Sequence, residues 1–187
     1  MEENRRIILA SASPRRAELL QHITKDFEII PSQEEELIDE VLDHHELVME
    51  LARIKAVSVL KKHPDALVIG SDTIVAVDNL VLGKPKDTED AFNMLRLLSG
   101  RSHYVYTGVC LAKKGKLEQF YSRTEVFFAS LTDEEIRRYL ATGEPFDKAG
   151  AYGIQGRAST FCERIDGDYF TVMGLPVAML YKKLEEF

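Results

Sequence analysis

Two serines and two arginines stand close together near the N-terminus, in the stretch Leu9-Ala10-Ser11-Ala12-Ser13-Pro14-Arg15-Arg16. Ser13 followed by Pro14 is typical of a helix N-cap and a first helical residue. Arg15 and Arg16 then fall in the first helical turn, where the helix dipole disfavours cations by about 0.3 to 1 kcal/mol each. Main-chain N–H groups, hydroxyls and guanidinium groups together favour a phosphate site. The alternative is an ordinary capped helix with two solvated arginines.

A lysine on the apolar face of a predicted helix is the second candidate. Apolar side chains recur at steps of three and four residues from 44 to 62, which predicts a helix. Lys55 falls on the apolar face of this helix, between Val48 and Val59. A lysine in that position either extends its ammonium to water or meets an anion.

A candidate functional carboxylate follows a predicted buried strand. The apolar run Ala66-Leu67-Val68-Ile69-Gly70 predicts this strand, and Ser71-Asp72-Thr73 comes directly after it. Asp72 is therefore placed for chemistry at a strand end, although an aspartate that hydrogen-bonds its own turn is equally compatible. Residues 74–82 predict a hairpin, and Gly83-Lys84-Pro85 closes it.

Two further stretches each allow two interpretations. The acidic segment Ser32-Gln33-Glu34-Glu35-Glu36-Leu37 predicts a loop whose carboxylates are either a solvated face or the source of one hard-metal ligand. Residues 148–157 hold three glycines within seven positions, which is typical of an irregular structural loop or of a surface that clasps a ligand. This stretch matches no phosphate-loop consensus.

Composition restricts the ligands that these residues serve. The chain has 187 residues, which predicts one domain over 1–187, and its net charge of −7 gives no broad positive surface for nucleic acid or membrane. Any anion is therefore bound locally, as a small phosphorylated ligand. The short apolar run after residue 6 is too brief for a signal peptide or a membrane span. Two cysteines are expected to be free thiols, so we expect a cytoplasmic protein.

The motifs, taken in order, resemble those of the Maf family. They are Ser11-Ala12-Ser13-Pro14-Arg15-Arg16, Ser71-Asp72-Thr73, Gly83-Lys84-Pro85, Asp147 to Gly156, and Gly174-Leu175-Pro176. Maf proteins are nucleoside triphosphate pyrophosphatases, which cleave between the α and β phosphates. The resemblance implies an α/β fold like that of inosine triphosphate pyrophosphatase, with a mixed twisted β-sheet flanked by helices and two lobes around a cleft.

The same resemblance assigns roles to individual residues. Asp72 is expected to be the general base and a metal ligand, with Glu36, or alternatively Glu35, as the second acidic ligand. The residues assigned to the triphosphate are Ser11, Arg15, Arg16, Lys55 and Lys84, of which Lys84 is also expected to be catalytic. The positions that select the base are Arg15, Thr73 and Gln155, and their residues are those of the branch that acts on dTTP and UTP.

The expected activity is hydrolysis of these pyrimidine triphosphates to the monophosphate and pyrophosphate, with Mg²⁺ or Mn²⁺ as cofactor. The metal prefers one or two carboxylates together with phosphate oxygens and waters, which Asp72 and Glu36 match. The family also implies a homodimer. The alternative function is a nucleotide-binding regulator of septum formation or cell division with little turnover.

Overall fold

The computed structural model of the chain describes residues 6–34 and 42–187. Its strands are β1 (Ile7–Leu9), β2 (Glu28–Ile29), β3 (Leu67–Val77), β4 (Leu80–Leu82), β5 (Ser102–Lys113), β6 (Lys116–Phe128) and β7 (Cys162–Asp166). Its α-helices are α1 (Pro14–Leu20), α2 (His44–Lys62), α3 (Thr88–Leu98), α4 (Asp133–Leu140), α5 (Tyr169–Met173) and α6 (Val177–Glu186). Between α4 and β7 the chain forms 3₁₀ turns at Glu144–Asp147, Ala149–Ala151 and Arg157–Phe161.

The strands of the described residues form one mixed sheet. Its order is β2-β1-β3-β5-β6-β7, and β4 pairs with β3. β1 runs parallel to both β2 and β3, because the connections through α1 and α2 return the chain to the same end of the sheet. The β3–β4 and β6–β7 pairs are antiparallel. The predicted α/β fold with a mixed sheet is therefore confirmed.

The chain divides into two compact units. The first comprises Met1–Asp72, Thr107–Ser122 and Gly174–Phe187, and the second comprises Thr73–Tyr106 and Arg123–Met173. Three of the four divisions fall within strands, in β3, β5 and β6, so each of these strands contributes residues to both units. The single domain expected over the whole chain stays a prediction.

In the first unit, α2 packs on the sheet at positions without side chains. A Cβ placed on Gly70 of β3 would stand 2.3 Å from the carbonyl oxygen of Ala52. A Cβ on Gly108 of β5 would stand 2.3 Å from the carbonyl oxygen of Val48. Glycine at these two positions lets the helix main chain lie directly against the strands. Lys55 lies on the same helix. This close packing therefore fixes the distance between Lys55 and the sheet.

The core of the second unit is rich in aromatic side chains. Phe128 and Tyr152 pack edge to face with ring centroids 4.8 Å apart. His103 is 1% exposed, and its Nε2 lies at hydrogen-bond distance, 2.7 Å, from the Tyr152 hydroxyl. Burial, with a smaller effect from the charge of Arg101, lowers the pKa of His103 to about 4. The imidazole is therefore neutral at physiological pH.

One local expectation about the functional carboxylate is wrong. The strand that was expected to end at Gly70 continues through Ser71-Asp72-Thr73, so Asp72 lies inside β3 and not at a strand end. The residues on both sides of this polar trio are buried, and a continuous strand keeps their main-chain groups hydrogen-bonded. Ser71 is itself fully buried, which is tolerated because its hydroxyl is hydrogen-bonded.

Candidate active site

The predicted N-cap is present in the first unit, in residues 11–16, which we call the opening turn. Ser13 Oγ accepts a hydrogen bond from the main-chain N–H of Arg16 at 3.4 Å, and Pro14 begins α1. The buried Ser11 hydroxyl accepts from the main-chain N–H of Ser13 at 3.2 Å. Arg15 is half-buried in the same turn. The two arginines share the first turn of α1 with no acidic residue, as the sequence indicates.

Arg16 connects this turn to a distant part of the first unit. Its Nε donates to the main-chain carbonyl of Gly174 at 2.9 Å, and its Nη1 donates to Ser11 Oγ at 3.2 Å. The same Gly174 carbonyl lies 3.1 Å from Ser71 Oγ, which is also 3.0 Å from the carbonyl of Gly108. Arg16 therefore holds the opening turn in place, whatever else its guanidinium contacts.

Lys55 and Asp72 form an ion pair in the first unit. The Lys55 ammonium donates to Asp72 Oδ1, and each side chain is only 15% exposed. Val48 and Val59, on the same face of α2, are buried. Of the two alternatives for Lys55, the structure therefore shows the second, because this lysine meets an anion and that anion is a side chain of the protein.

The second oxygen of this carboxylate, Oδ2, differs from the first in its contacts with the described residues. Among the described residues, Asp72 Oδ2 accepts no hydrogen bond from the protein. Within the same part of the chain, no group of three or more His, Cys, Asp or Glu side chains comes together to hold a metal. The second acidic ligand expected from the sequence, Glu36 or Glu35, lies outside the described residues.

Two predicted site residues of the second unit lie on either side of the β3–β4 hairpin. Thr73 follows Asp72 in β3 and is half-buried. Lys84 comes after β4 and is exposed. The carbonyl of Gly83 accepts from the main-chain N–H of Gly150 at 3.0 Å. This contact joins the segment that carries Lys84 to the glycine-rich segment. In the sequence these two segments are separate motifs.

Gln155 lies in a tight turn of the glycine-rich segment. The main-chain N–H of Gly156 donates to the carbonyl of Gly153 at 3.0 Å, which closes the turn over residues 153–156. Ile154 is buried in this turn, whereas Gln155 is exposed. Upstream, Gly150 has a φ of 69°, which favours glycine. The segment is therefore an ordered loop that presents an amide.

Sequence reasoning missed that two of its own candidates are partners. A lysine on an apolar helix face and an aspartate after an apolar run are complementary anomalies, and that complementarity is the signal that could have joined Lys55 to Asp72. It also missed the partners of Ser71, whose hydroxyl lies within hydrogen-bond distance of two main-chain carbonyls. The local sequence gives no signal for these partners, because both carbonyls belong to other parts of the chain.

Comparison with known proteins decides the family. A family model described as Maf-like protein matches residues 6–187. The chain belongs to the Maf family. The dTTP/UTP pyrophosphatase of Bacillus cytotoxicus is 51% identical to this Maf chain over 183 residues, which are 98% of this chain and 96% of that protein. The dTTP/UTP pyrophosphatase of Bacillus cereus is also 51% identical, with the same coverage.

A solved structure shows the same fold at low sequence identity. The Staphylococcus aureus Ham1 protein matches this Maf chain with a TM-score of 0.55 and 15% identity, over 97% of this chain and 99% of its own. At this identity the likeness bears on fold alone, and it confirms the predicted fold class. Among the described helices, none combines the length and apolar character that a membrane span requires.

Proposed function

We propose that this chain hydrolyses dTTP and UTP to the nucleoside monophosphate and pyrophosphate. The observation that carries the proposal is the Lys55–Asp72 pair, in a Maf chain that is half identical to proteins named dTTP/UTP pyrophosphatase. A largely buried carboxylate that is held by one oxygen, and whose other oxygen accepts no hydrogen bond from the described residues, is suited to general-base chemistry.

The reaction needs a water molecule to attack the α-phosphorus. In the proposed mechanism, Asp72 orients this water and accepts its proton while the water oxygen bonds to the α-phosphorus. The bond from that phosphorus to the bridging oxygen breaks, and pyrophosphate leaves with the electron pair. Lys55 holds the Asp72 carboxylate in one orientation, because its ammonium donates to Oδ1.

Cationic and hydroxyl groups serve the triphosphate in this proposal. Arg15, Arg16 and Lys84 neutralise the negative charge that develops on the departing pyrophosphate. Lys55 belongs to the same set of cations, and its ammonium also donates to Asp72 Oδ1. Ser11 accepts hydrogen bonds at its oxygen, which leaves its own proton for a phosphate oxygen. We assign the choice of base to Arg15, Thr73 and Gln155.

A divalent cation, Mg²⁺ or Mn²⁺, belongs to the proposal as the cofactor. The Asp72 carboxylate fits this role, since hard cations prefer carboxylate oxygens. Asp72 would hold the cation together with Glu36, or with Glu35 in its place. When bound, the cation polarises the α-phosphate and lowers the pKa of a coordinated water.

Some expectations from the sequence stay predictions within this proposal. They are a cytoplasmic location, a homodimer, and the absence of nucleic-acid binding that the net charge of −7 favours. The alternative of a regulator with little turnover is an outcome of the test below, because such a protein binds the nucleotide without consuming it.

The test is product analysis in isotopically labelled water. Purified protein is incubated with dTTP, UTP, dCTP or dATP and Mg²⁺ or Mn²⁺ in H₂¹⁸O, and the products are separated and weighed by mass spectrometry. We expect monophosphate and pyrophosphate from dTTP and UTP, with the ¹⁸O in the monophosphate. Three outcomes would contradict the proposal. They are ¹⁸O in the pyrophosphate, release of orthophosphate together with the nucleoside diphosphate, and tight nucleotide binding without turnover.

A further inference from the structure

Glu144 lies under the turn that carries Gln155 in the second unit. One oxygen of the Glu144 carboxylate, Oε2, accepts a hydrogen bond from the main-chain N–H of Arg157 at 3.1 Å. The other oxygen, Oε1, accepts from the hydroxyl of Tyr139 at 3.1 Å. Burial, and then the negative charge of Glu144, raises the pKa of Tyr139, so this hydroxyl stays protonated and donates. Both oxygens of one carboxylate are therefore committed to the protein.

The carboxylate also explains why residue 156 is a glycine. A Cβ placed on Gly156 would stand 2.0 Å from Glu144 Oε1. The main chain of Gly156 has a φ of −92° and a ψ of −153°, which any residue adopts. Gly156 therefore leaves the space in which the Glu144 carboxylate makes its two hydrogen bonds, and the backbone conformation at this position does not itself call for glycine.

Lys148 supports the other end of the same turn. A Cβ placed on Gly153 would stand 2.6 Å from Lys148 Cε. The Lys148 ammonium donates to the main-chain carbonyl of Glu144 at 2.6 Å and to Asp147 Oδ1 at 2.5 Å, and its side chain is 14% exposed. Both glycines of the turn thus rest on side chains of residues 144–148.

We propose that Glu144 and Lys148 are positioning residues. They hold the 153–156 turn in the position from which Gln155 selects the pyrimidine base. The proposal rests on the function proposed above, in which Gln155 reads the base. Thymine and uracil present a carbonyl beside an N–H, and a glutamine amide has one acceptor and one donor group to match them. Two hydrogen bonds of that kind require the amide at a fixed distance, because each weakens steeply with misalignment.

The test is a double-mutant cycle between Gly156 and Glu144. We expect Gly156→Ala alone to lower kcat/KM for dTTP about tenfold, through a clash that lifts the turn. In a Glu144→Ala background the carboxylate is absent, and we expect the same glycine substitution to cost less than about twofold. Glu163→Ala, which removes an exposed carboxylate from β7, is the matched control and should leave kcat/KM unchanged.

Selectivity between nucleotides distinguishes a positioning role of Glu144 from a general loss of structure in the variant. We expect Glu144→Ala to raise KM for dTTP and to lower the ratio of kcat/KM for dTTP over dCTP by about three- to tenfold, with kcat within about twofold of the wild type. Glu144→Gln keeps an acceptor and should restore most of the ratio. An equal cost of Gly156→Ala in both backgrounds, or an unchanged ratio in Glu144→Ala, would overturn the proposal.

An arm without nucleotide keeps this test separate from the proposed function. The amide hydrogen of Arg157 donates to Glu144, so we expect its exchange with solvent, followed by NMR, to accelerate at least about tenfold in Glu144→Ala. An unchanged exchange rate would contradict the proposal that Glu144 holds the turn. If the wild type hydrolyses no dTTP, the proposed function fails and the base-selecting role fails with it, whereas the exchange rate still decides whether Glu144 holds the turn.

Discussion

Lys55 donates a hydrogen bond to Asp72 across 17 residues of sequence, and both partners are largely withdrawn from water. α2 supplies the ammonium and β3 supplies the carboxylate. Removing one partner of such a pair leaves the other charge with poor solvation, which costs more than the pair itself contributes. Structural and catalytic consequences of this pair are therefore separable by choosing which partner is changed.

The first prediction concerns stability. We expect Lys55→Met to lower the free energy of unfolding by about 1 to 3 kcal/mol, because the Asp72 carboxylate is left without its ammonium. Adding Asp72→Asn to this variant should cost less than Asp72→Asn costs in the wild type, since no orphaned charge remains. Urea unfolding of the four proteins measures the coupling. Strictly additive effects would show that the pair is not an energetic unit.

The second prediction concerns turnover. We expect Asp72→Asn to lower kcat for dTTP by about 10²- to 10⁴-fold, which is the usual worth of a positioned general base. Asp26→Asn, at an exposed aspartate of the same unit, is the control and should keep full activity. Circular dichroism checks that the fold is intact in both variants. Full activity in Asp72→Asn would remove this residue from the role of base.

The third prediction concerns Arg16. We expect Arg16→Gln to lower the free energy of unfolding by about 1 to 2 kcal/mol, because the charged hydrogen bond to the Gly174 carbonyl is lost. Arg138→Gln removes a guanidinium whose side chain is 71% exposed, and it should change stability by no more than about 0.5 kcal/mol. Thermal and urea unfolding measure both. Equal, small effects would show that Arg16 does not hold the opening turn.

The fourth prediction concerns pH. The folded protein holds His103 with a pKa of about 4, below its ordinary value of 6.5, so between these values the unfolded chain binds the proton more readily. The contribution of His103 to the free energy of unfolding is complete above pH 6.5. It falls by about 3 kcal/mol as the pH drops to 4. His103→Gln lacks the titrating group.

Carboxylates also titrate in this range, so the informative quantity is a difference. Urea unfolding of wild type and His103→Gln from pH 7 to pH 4.5 should show a steeper loss in the wild type. Parallel curves would mean that the imidazole gains its proton in the folded state as easily as in the unfolded chain.

Local signals in the sequence predicted local structure well. Ser13 with Pro14 marks the start of α1, and Asp87 caps α3 through its own side chain. Thr132 and Glu135 form the capping box of α4, which the Thr-x-x-Glu spacing in the sequence indicates. These features depend on residues within one helical turn, so composition and spacing contain the information that determines them.

Features that depend on distant partners could not be predicted in the same way. The apolar face of α2 made Lys55 conspicuous, but its partner was fixed only when β3 was placed beside that helix. Glu144 gives no local signal at all, because its two hydrogen-bond donors become neighbours only through the fold. The roles of Arg15, Lys84 and Gln155 stay predictions.

The glycines at positions 70 and 108 have a consequence for how this protein tolerates sequence change. Where a helix rests on strands through main-chain atoms, a side chain added at either glycine would push the helix away from the sheet. Substitution at these two positions would therefore separate the Lys55 ammonium from the Asp72 carboxylate. The two positions are closed to sequence change because of the helix that rests on them and not because of their own backbone conformation.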